Sequence, residues 1–359
     1  MKGKLFACIS LVLVIVMVAA CAPATPAAPA AEPAASSEEP AAAAPEETSG
    51  KLTVAMVTSG SLGDNGIFDL SLAGLERAKE ELGIDFKVLE GKEDPSLYYN
   101  LLETAAKNYK MVIVNPGYQF SESLKEIAPK YPDTLFVYMD GASDVEGANI
   151  SSMSTSDHEG SYLAGILAAG MTTLSDVEGL NTDKEVGLVG AIDAPVINNF
   201  IAGFKNGVAS VDPEVEVKVL YAGAFDNPAK GKELATSLYS RKSDIVYNVA
   251  AQTGQGVLLA AKETGHYAIG VDTDQCAVQA GSVLASMLKR FDNTTFLMVE
   301  AMTKGELKGQ VYSYGLKEGG VELRMCDQTK DVVPADLVAK IEDAKAKIIA
   351  GEITVDSVK

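Results

Sequence analysis

Two acids separated by one residue, Asp272 and Asp274, follow the apolar run Ala268-Ile269-Gly270-Val271 and precede Gln275. An apolar run that breaks into carboxylates is how a buried parallel strand ends, with its first polar residues facing a crevice. Such a pair of acids could hold a hard cation through oxygen, but the glycine and distal glutamate of a calcium loop are missing. A ligand hydroxyl suits it better, because a carboxylate accepts two hydrogen bonds at once, and Lys289 could add a donor. After Gln275 the chain reads as giving way to a small-residue helix opening at Gly281-Ser282-Val283-Leu284. Several other apolar runs end on Asp, Asn or Ser, and their ends are expected to converge on one small polar ligand.

Other reactive-looking groups carry less. The triplet Asp157-His158-Glu159 resembles a metal cluster in composition. Consecutive residues at a helix start point in different directions, so one ion cannot collect them, and a structural or capping use is expected. His158 and His266 are the only imidazoles, and neither has a nucleophile nearby. No catalytic residue, metal or cofactor is therefore assigned. The loop Ser59-Gly60-Ser61-Leu62-Gly63-Asp64-Asn65-Gly66 lies between a strand and a helix, so its amides could bind an anion. Its glycine spacing is not that of a dinucleotide fingerprint, and the Lys-Ser/Thr ending of a P-loop is absent, so a plain tight turn stays open beside the anion site. Phe225 precedes the polar turn Asp226-Asn227-Pro228 and is either a cap on the core edge or a platform. If Phe68 faces it, the two rings could sandwich a flat ring in offset stacking.

Positioning these groups requires alternating strands and helices. Strands are expected at Leu52 to Val57, Phe86 to Leu89, Met111 to Val114 and Leu135 to Met139, the last ending on Asp140. Helices are expected between them, and then from Gly160 to Met171. After a polar break at Leu180 to Lys184 the pattern restarts, with strands at Val186, Val215, Ile245 and Ala268. Repeated βα units imply a parallel, doubly wound sheet. Two such half-chains imply an α/β protein of two doubly wound lobes joined by a hinge. The first is expected over 51–172 with return segments from about 291–325, the second over 173–290. A C-terminal segment, 326–359, holds an amphipathic helix from Ala335 to Ile349.

The chain has 359 residues and a formal net charge of −19. That balance, without a basic or aromatic patch, argues against nucleic acid as a partner. Residues 1–21 read as a targeting segment, with Lys2 and Lys4 before an apolar stretch too short for an ordinary span. It closes on Val18-Ala19-Ala20-Cys21, which resembles the bacterial lipobox, a signal whose cysteine is lipidated and becomes the mature amino terminus. Residues 22–50 are Ala, Pro, Glu and Ser with almost no large apolar residue. Such a stretch cannot offset its ordering entropy and reads as a disordered tether. Cys276 and Cys326 lack metal-ligand spacing; a disulfide is open, with plain thiols as the expected state.

The head resembles the basic-membrane-protein family of lipoproteins, nucleoside-binding components of ABC importers with the type I periplasmic-binding fold. The residues that carry the resemblance begin with Gly63-Asp64-Asn65-Gly66-Ile67-Phe68-Asp69 and Glu159-Gly160-Ser161-Tyr162-Leu163-Ala164-Gly165. Phe225 to Lys232, Ala250 to Gly256, Ile269 to Gln275 and Ser286-Met287-Leu288-Lys289-Arg290 complete them. The resemblance implies a receptor that closes on a nucleoside, purine nucleosides foremost, and delivers it to a permease and ATPase. It implies Asp272 and Lys289 at the ribose, Asp140 at the base and Phe225 as one stacking ring. The other ring falls on Phe68, with Ile67 the competing position. A glycine of the family falls on Ala251 or Gly254, and its early Asp falls on Ser59. Asp64 and Asn65 complete the implied ligand set. A monomer, lipid-anchored on the extracytoplasmic face, is expected.

Overall fold

The computed structural model describes residues 51–358; the leader, Cys21 and the tether lie outside the described residues. The first half runs β1 (Thr53–Thr58), α1 (Ile67–Leu82), β2 (Asp85–Glu90), α2 (Pro95–Asn108), β3 (Met111–Asn115), α3 (Ser121–Ile127), β4 (Leu135–Met139) and β5 (Ile150–Thr155). Helix α4 (Asp157–Thr172) leads to the second half. There β6 (Glu185–Gly190), α5 (Pro195–Val211), β7 (Glu216–Tyr221), α6 (Pro228–Tyr239) and β8 (Ile245–Val249) follow one another. Next come α7 (Thr253–Thr264), β9 (Tyr267–Asp272) and β10 (Val283–Lys289). The chain closes with α8 (Phe291–Thr303), β11 (Val311–Tyr314), β12 (Val321–Met325) and α9 (Ala335–Ile349).

These strands form two six-stranded sheets, ordered β2-β1-β3-β4-β5-β11 and β7-β6-β8-β9-β10-β12. The first is wholly parallel, and in the second only the β10–β12 pair is antiparallel. Leaving out the sixth strand, both halves share the doubly wound order in which the winding reverses beside the first strand, so each has a crevice at its carboxyl strand ends. Continuous apolar strands suit this arrangement because both faces are covered. Ala55, Val57, Val112 and Val114 pack with Leu102 of α2 and Leu124 of α3. Their neighbours Val54, Met56 and Ile113 pack the other way, with Leu75 of α1 and Phe296 of α8. The second sheet repeats this. Leu188, Tyr247 and Ile269 meet α4, α5 and α9, whereas Val246, Ala268 and Val283 meet α6 and α7.

The chain passes between the halves three times: at Ser156, at Arg290, and between β11 and β12. The crossings are bonded together. Ser156 N–H donates to Tyr314 O at 2.9 Å, and Arg290 N–H to Gly320 O at 2.9 Å. The Leu316 N–H donates to Glu159 Oε2 at 2.8 Å. Helix α4 lies against α5 at unusually close range, because a Cβ on Gly203 or Gly207 would lie 2.0 Å from the carbonyl oxygen of His158 or Tyr162.

Four expectations need correction. Gly281–Leu284 does not open a helix. Gly281 makes a left-handed turn (φ 86°), and β10 begins at Val283 with every residue buried. A short buried apolar run has no periodicity to separate strand from helix. Strand β5 was not anticipated, because four of the six residues of Ile150-Ser151-Ser152-Met153-Ser154-Thr155 carry hydroxyls. Its hydroxyls are bonded, Ser151 Oγ to Lys308 O at 2.7 Å and Ser152 Oγ from Ser143 N–H at 2.9 Å. Helix α4, placed with the first lobe, packs on the second sheet, and β12, placed among the first lobe's returns, pairs with β10. Finally, Cys276 and Cys326 are a disulfide with Cα atoms 5.3 Å apart. The β10–β12 ladder brings the two together, which spacing along the chain could not reveal.

The bridge closes a loop of 50 residues. Replacing both cysteines with serine is expected to lower unfolding stability by about 4 kcal/mol on the chain-entropy estimate, read from denaturant midpoints of the oxidised parent and the variant.

Candidate functional site

Three residues at the carboxyl ends of strands have left-handed backbone although none is glycine: Asp140 after β4 (φ 65°), Ala251 after β8 (φ 47°) and Asp272 at the end of β9 (φ 65°). Such conformations are uncommon outside glycine, cost free energy, and cluster where surrounding structure fixes them for a purpose. Each turns the chain sharply off the sheet at the crevice.

Lys289, the last residue of β10, brings the two halves together. Its side chain is 5% exposed, and its Nζ lies 2.5 Å from Asp140 Oδ1 of the first half. The same ammonium is 3.7 Å from Oδ2 of Asp157, a side chain 4% exposed at the start of α4. Asp157 Oδ1 also accepts the Thr155 hydroxyl at 2.6 Å. Aromatic faces complete the cage, with Phe291 and Phe200 ring centres 5.3 and 5.9 Å from Nζ, within cation–π range.

Burial alone would discharge this lysine, but Asp140, Asp157 and Asp272 outweigh it and hold the ammonium above its ordinary range. The acids feel the same burial. Asp157 is pushed up to about 7 by desolvation, which Lys289 opposes and Asp140 reinforces. Asp272 is raised for the same first reason, against the pull of Lys289. Three carboxylates thus share one cation in a poorly solvated place, an excess of negative charge that disfavours any anionic occupant.

The other expected residues divide. In the loop after β1, Asp64 accepts from the backbone N–H groups of Gly66, Phe68 and Asp69 at 2.9, 3.2 and 3.1 Å. Asp69 accepts from those of Gly63 and Asn65, both at 2.8 Å. The loop amides are therefore taken by its own carboxylates, which resolves the open choice in favour of a capped turn and against an anion site. Asp64 serves as a helix cap, and Asn65 (φ 48°) is part of the turn. Ser59 is buried at the end of β1, its carbonyl accepting from the Tyr98 hydroxyl at 3.2 Å. Ile67 packs into the first-half core, whereas Phe68 lies outside that cluster with its ring over Gly60.

Phe225 is 38% exposed on the loop between β7 and α6, whose backbone is pinned by Thr253 N–H donating to Phe225 O at 2.9 Å. Gly254 is packed against Asn248, so of the two alternatives Ala251 is the one at a turned strand end. Asp274 faces outward, paired with Arg324 at 2.8 Å. Gln275 turns inward, its Oε1 accepting from Asn248 Nδ2 and Val271 N–H at 3.2 and 3.1 Å. His158 and Glu159 go elsewhere than Asp157, with Glu159 bonded to Leu316.

Asp157 was missed as a member of the cluster. The signal was available, an acid two residues past a strand, but the strand was hidden in serines.

Residues 51–359 match the family model Bmp, described as ABC transporter substrate-binding protein PnrA-like. Among curated proteins, the chain is 31% identical over 333 residues to a CD4+ T-cell-stimulating antigen of Listeria innocua, covering 86% of this chain and 89% of that one. It is 29% identical over 339 residues to the ABC transporter nucleoside-binding protein BmpA of Lactococcus lactis, covering 86% and 92%. Among solved structures, an ABC transporter solute-binding protein from Aeropyrum pernix superposes with a TM-score of 0.71 at 25% identity, covering 86% of this chain and 94% of that one.

The cluster makes a prediction of its own. Lys289→Met leaves buried carboxylates unpaired and is expected to cost about 3–5 kcal/mol at pH 8. Asp157 is then raised further above its unperturbed 3.8 in the folded state. The folded protein binds the extra proton, so stability falls as pH rises through that window. Thermal melts of both proteins at pH 5 and pH 8 should show the smaller deficit at pH 5.

Proposed function

The chain belongs to the Bmp family of PnrA-like ABC transporter substrate-binding proteins, and from that premise we propose that its ligand is a nucleoside, bound where Asp140, Asp272 and Lys289 converge. The observation that carries this reading is the Lys289–Asp140 pair, which joins the two halves at the carboxyl ends of their sheets. Asp272 accepts two vicinal ribose hydroxyls, and Lys289 donates to the sugar. Asp140 accepts from the base. Phe225 and Phe68 offer apolar faces for the base, with Ala251 at the rim. Closure excludes water, and a ligand that leaves one of these groups unmet is penalised.

The excess of carboxylate supports a neutral ligand over a phosphorylated one. An acid–lysine pair would hold a free sugar as well, so the second reading is a sugar receptor, and the aromatic faces favour the nucleoside. The nucleoside is released intact to a permease and ATPase. Cys21 carries the lipid that holds the protein, as a monomer, on the extracytoplasmic face of the cell membrane. Among the described residues no helix is long and apolar enough to cross a membrane.

The test is a thermal-shift screen of nucleosides, free bases, sugars and nucleoside 5′-monophosphates. A nucleoside at a hundredfold excess over its Kd should stabilise the protein by about 2.7 kcal/mol, and its 5′-monophosphate should give no shift. Phe225→Ala should weaken nucleoside binding by about twofold to tenfold, in line with loss of a stacking contact. A shift with sugars and none with nucleosides would overturn the assignment.

A further inference from the structure

Lys289 has one close carboxylate and another in reserve. Asp140 is at 2.5 Å and Asp157 at 3.7 Å. On the proposed function, from which this inference proceeds, a ligand engages Asp140, Asp272 and Lys289 together. A ligand that inserts between Lys289 and Asp140 parts them, since the two groups are now bonded to each other. A buried ammonium stripped of its partner is strongly unfavourable. Asp157 is the third carboxylate acting on Lys289, and no ligand contact is assigned to it.

Its placement fits that vacancy. Helix α4 packs on the second sheet, which also carries Lys289, so Asp157 opens an element on the lysine's side of the crossing, whereas Asp140 belongs to the first half. Ser156 makes no side-chain cap, and the Asp157 carboxylate is held by Thr155 rather than spent on the helix amides. The start of α4 also favours a negative charge there. We propose that Asp157 is a positioning residue that takes the Lys289 ammonium over from Asp140 when ligand binds, and so fixes the lysine in the occupied cleft.

The exchange has a proton consequence. The groups facing Asp157 are Lys289 from β10, Asp140 after β4, Asp272 at the end of β9, the Tyr247 phenol of β8 and the Thr155 hydroxyl. His158 and Glu159 follow it on α4. With Lys289 bonded to Asp140, Asp157 is pushed up to about 7, so near neutrality part of the population holds a proton. As the ammonium moves over, the carboxyl O–H ionises and its proton passes to the buffer. Binding then weakens as pH falls below 7, towards tenfold per pH unit for one released proton.

The experiment is titration calorimetry of the whole protein with guanosine and inosine at pH 6, 7 and 8, each in two buffers of different ionisation enthalpy. The parent should release about half a proton at pH 7, as a group titrating there would. Asp157→Asn should bind about tenfold more weakly at pH 8 and release none, and Asp157→Glu should restore part of the release. Unchanged affinity and proton count in Asp157→Asn would overturn the proposal. A ligand-free arm separates this from failure of the nucleoside reading. From pH 5 to pH 8 the melting temperature of the parent should fall relative to Asp157→Asn, since a raised acid loses stability as it ionises. A gap constant with pH means a purely structural role and overturns it, whatever the ligand proves to be. If Asp157→Asn does not fold, Thr155→Val serves. It removes a hydrogen bond that favours the ionised form, so the proton-linked midpoint should move up, and an unmoved midpoint counts against the proposal.

Discussion

A single ammonium buried among three carboxylates is the constraint around which the rest of this protein is arranged. Charges in a poorly solvated place are tolerated only when paired. The pairing draws on Lys289 from β10, Asp140 from β4, Asp157 from α4 and Asp272 from β9, elements of both halves. None of the four is close to another in sequence. The cluster can exist only if both sheets are complete and correctly apposed, so the group that would recognise a ligand is also a check on assembly. Its sign matters as much as its position, because the excess of carboxylate shapes which molecules can enter.

The two halves are built alike and by the same means. Each has a strand order that opens a crevice at its carboxyl ends, and each covers both faces of its sheet with helices. The three crossings hold to one another through Ser156, Tyr314, Arg290, Gly320 and Leu316. Within the second half the glycine contact of α5 with α4 ties the helix that starts at one crossing to a helix that starts at the crevice. The crossings are thus the places where few side chains would have to move if the halves turned against each other, in the manner of a hinge.

Much of this was legible in the sequence because apolar runs and the first polar residue after them carry both strand and site. Asp140 and Asp272 stand out as such strand ends, whereas Lys289 enters as a donor beside them and through the family resemblance, because β10 does not read as a strand. Strand β5 escaped because burial there is achieved by hydroxyls that bond to distant backbone, a satisfaction invisible to hydropathy, and Asp157 was lost with it. The start of β10 failed for the opposite reason, being apolar throughout. The loop after β1 could not be judged because its amides are claimed by acids a few residues away, which geometry alone reveals. The disulfide needed the antiparallel register of β10 with β12 before the two cysteines became neighbours.

The sixth strand of each sheet comes from the last part of the chain. β11 covers the edge of β5 and β12 that of β10, so during synthesis both sheets remain five strands wide until residues 311–325 have emerged. An uncovered strand edge is a template for wrong partners. The same late segment supplies Cys326 and Arg324, which fasten the loop after Asp272 through Cys276 and Asp274. The order of synthesis therefore makes the receptor incomplete by construction until almost all of it has been delivered, and a chain cut short before residue 311 would lack both edges and the clasp together.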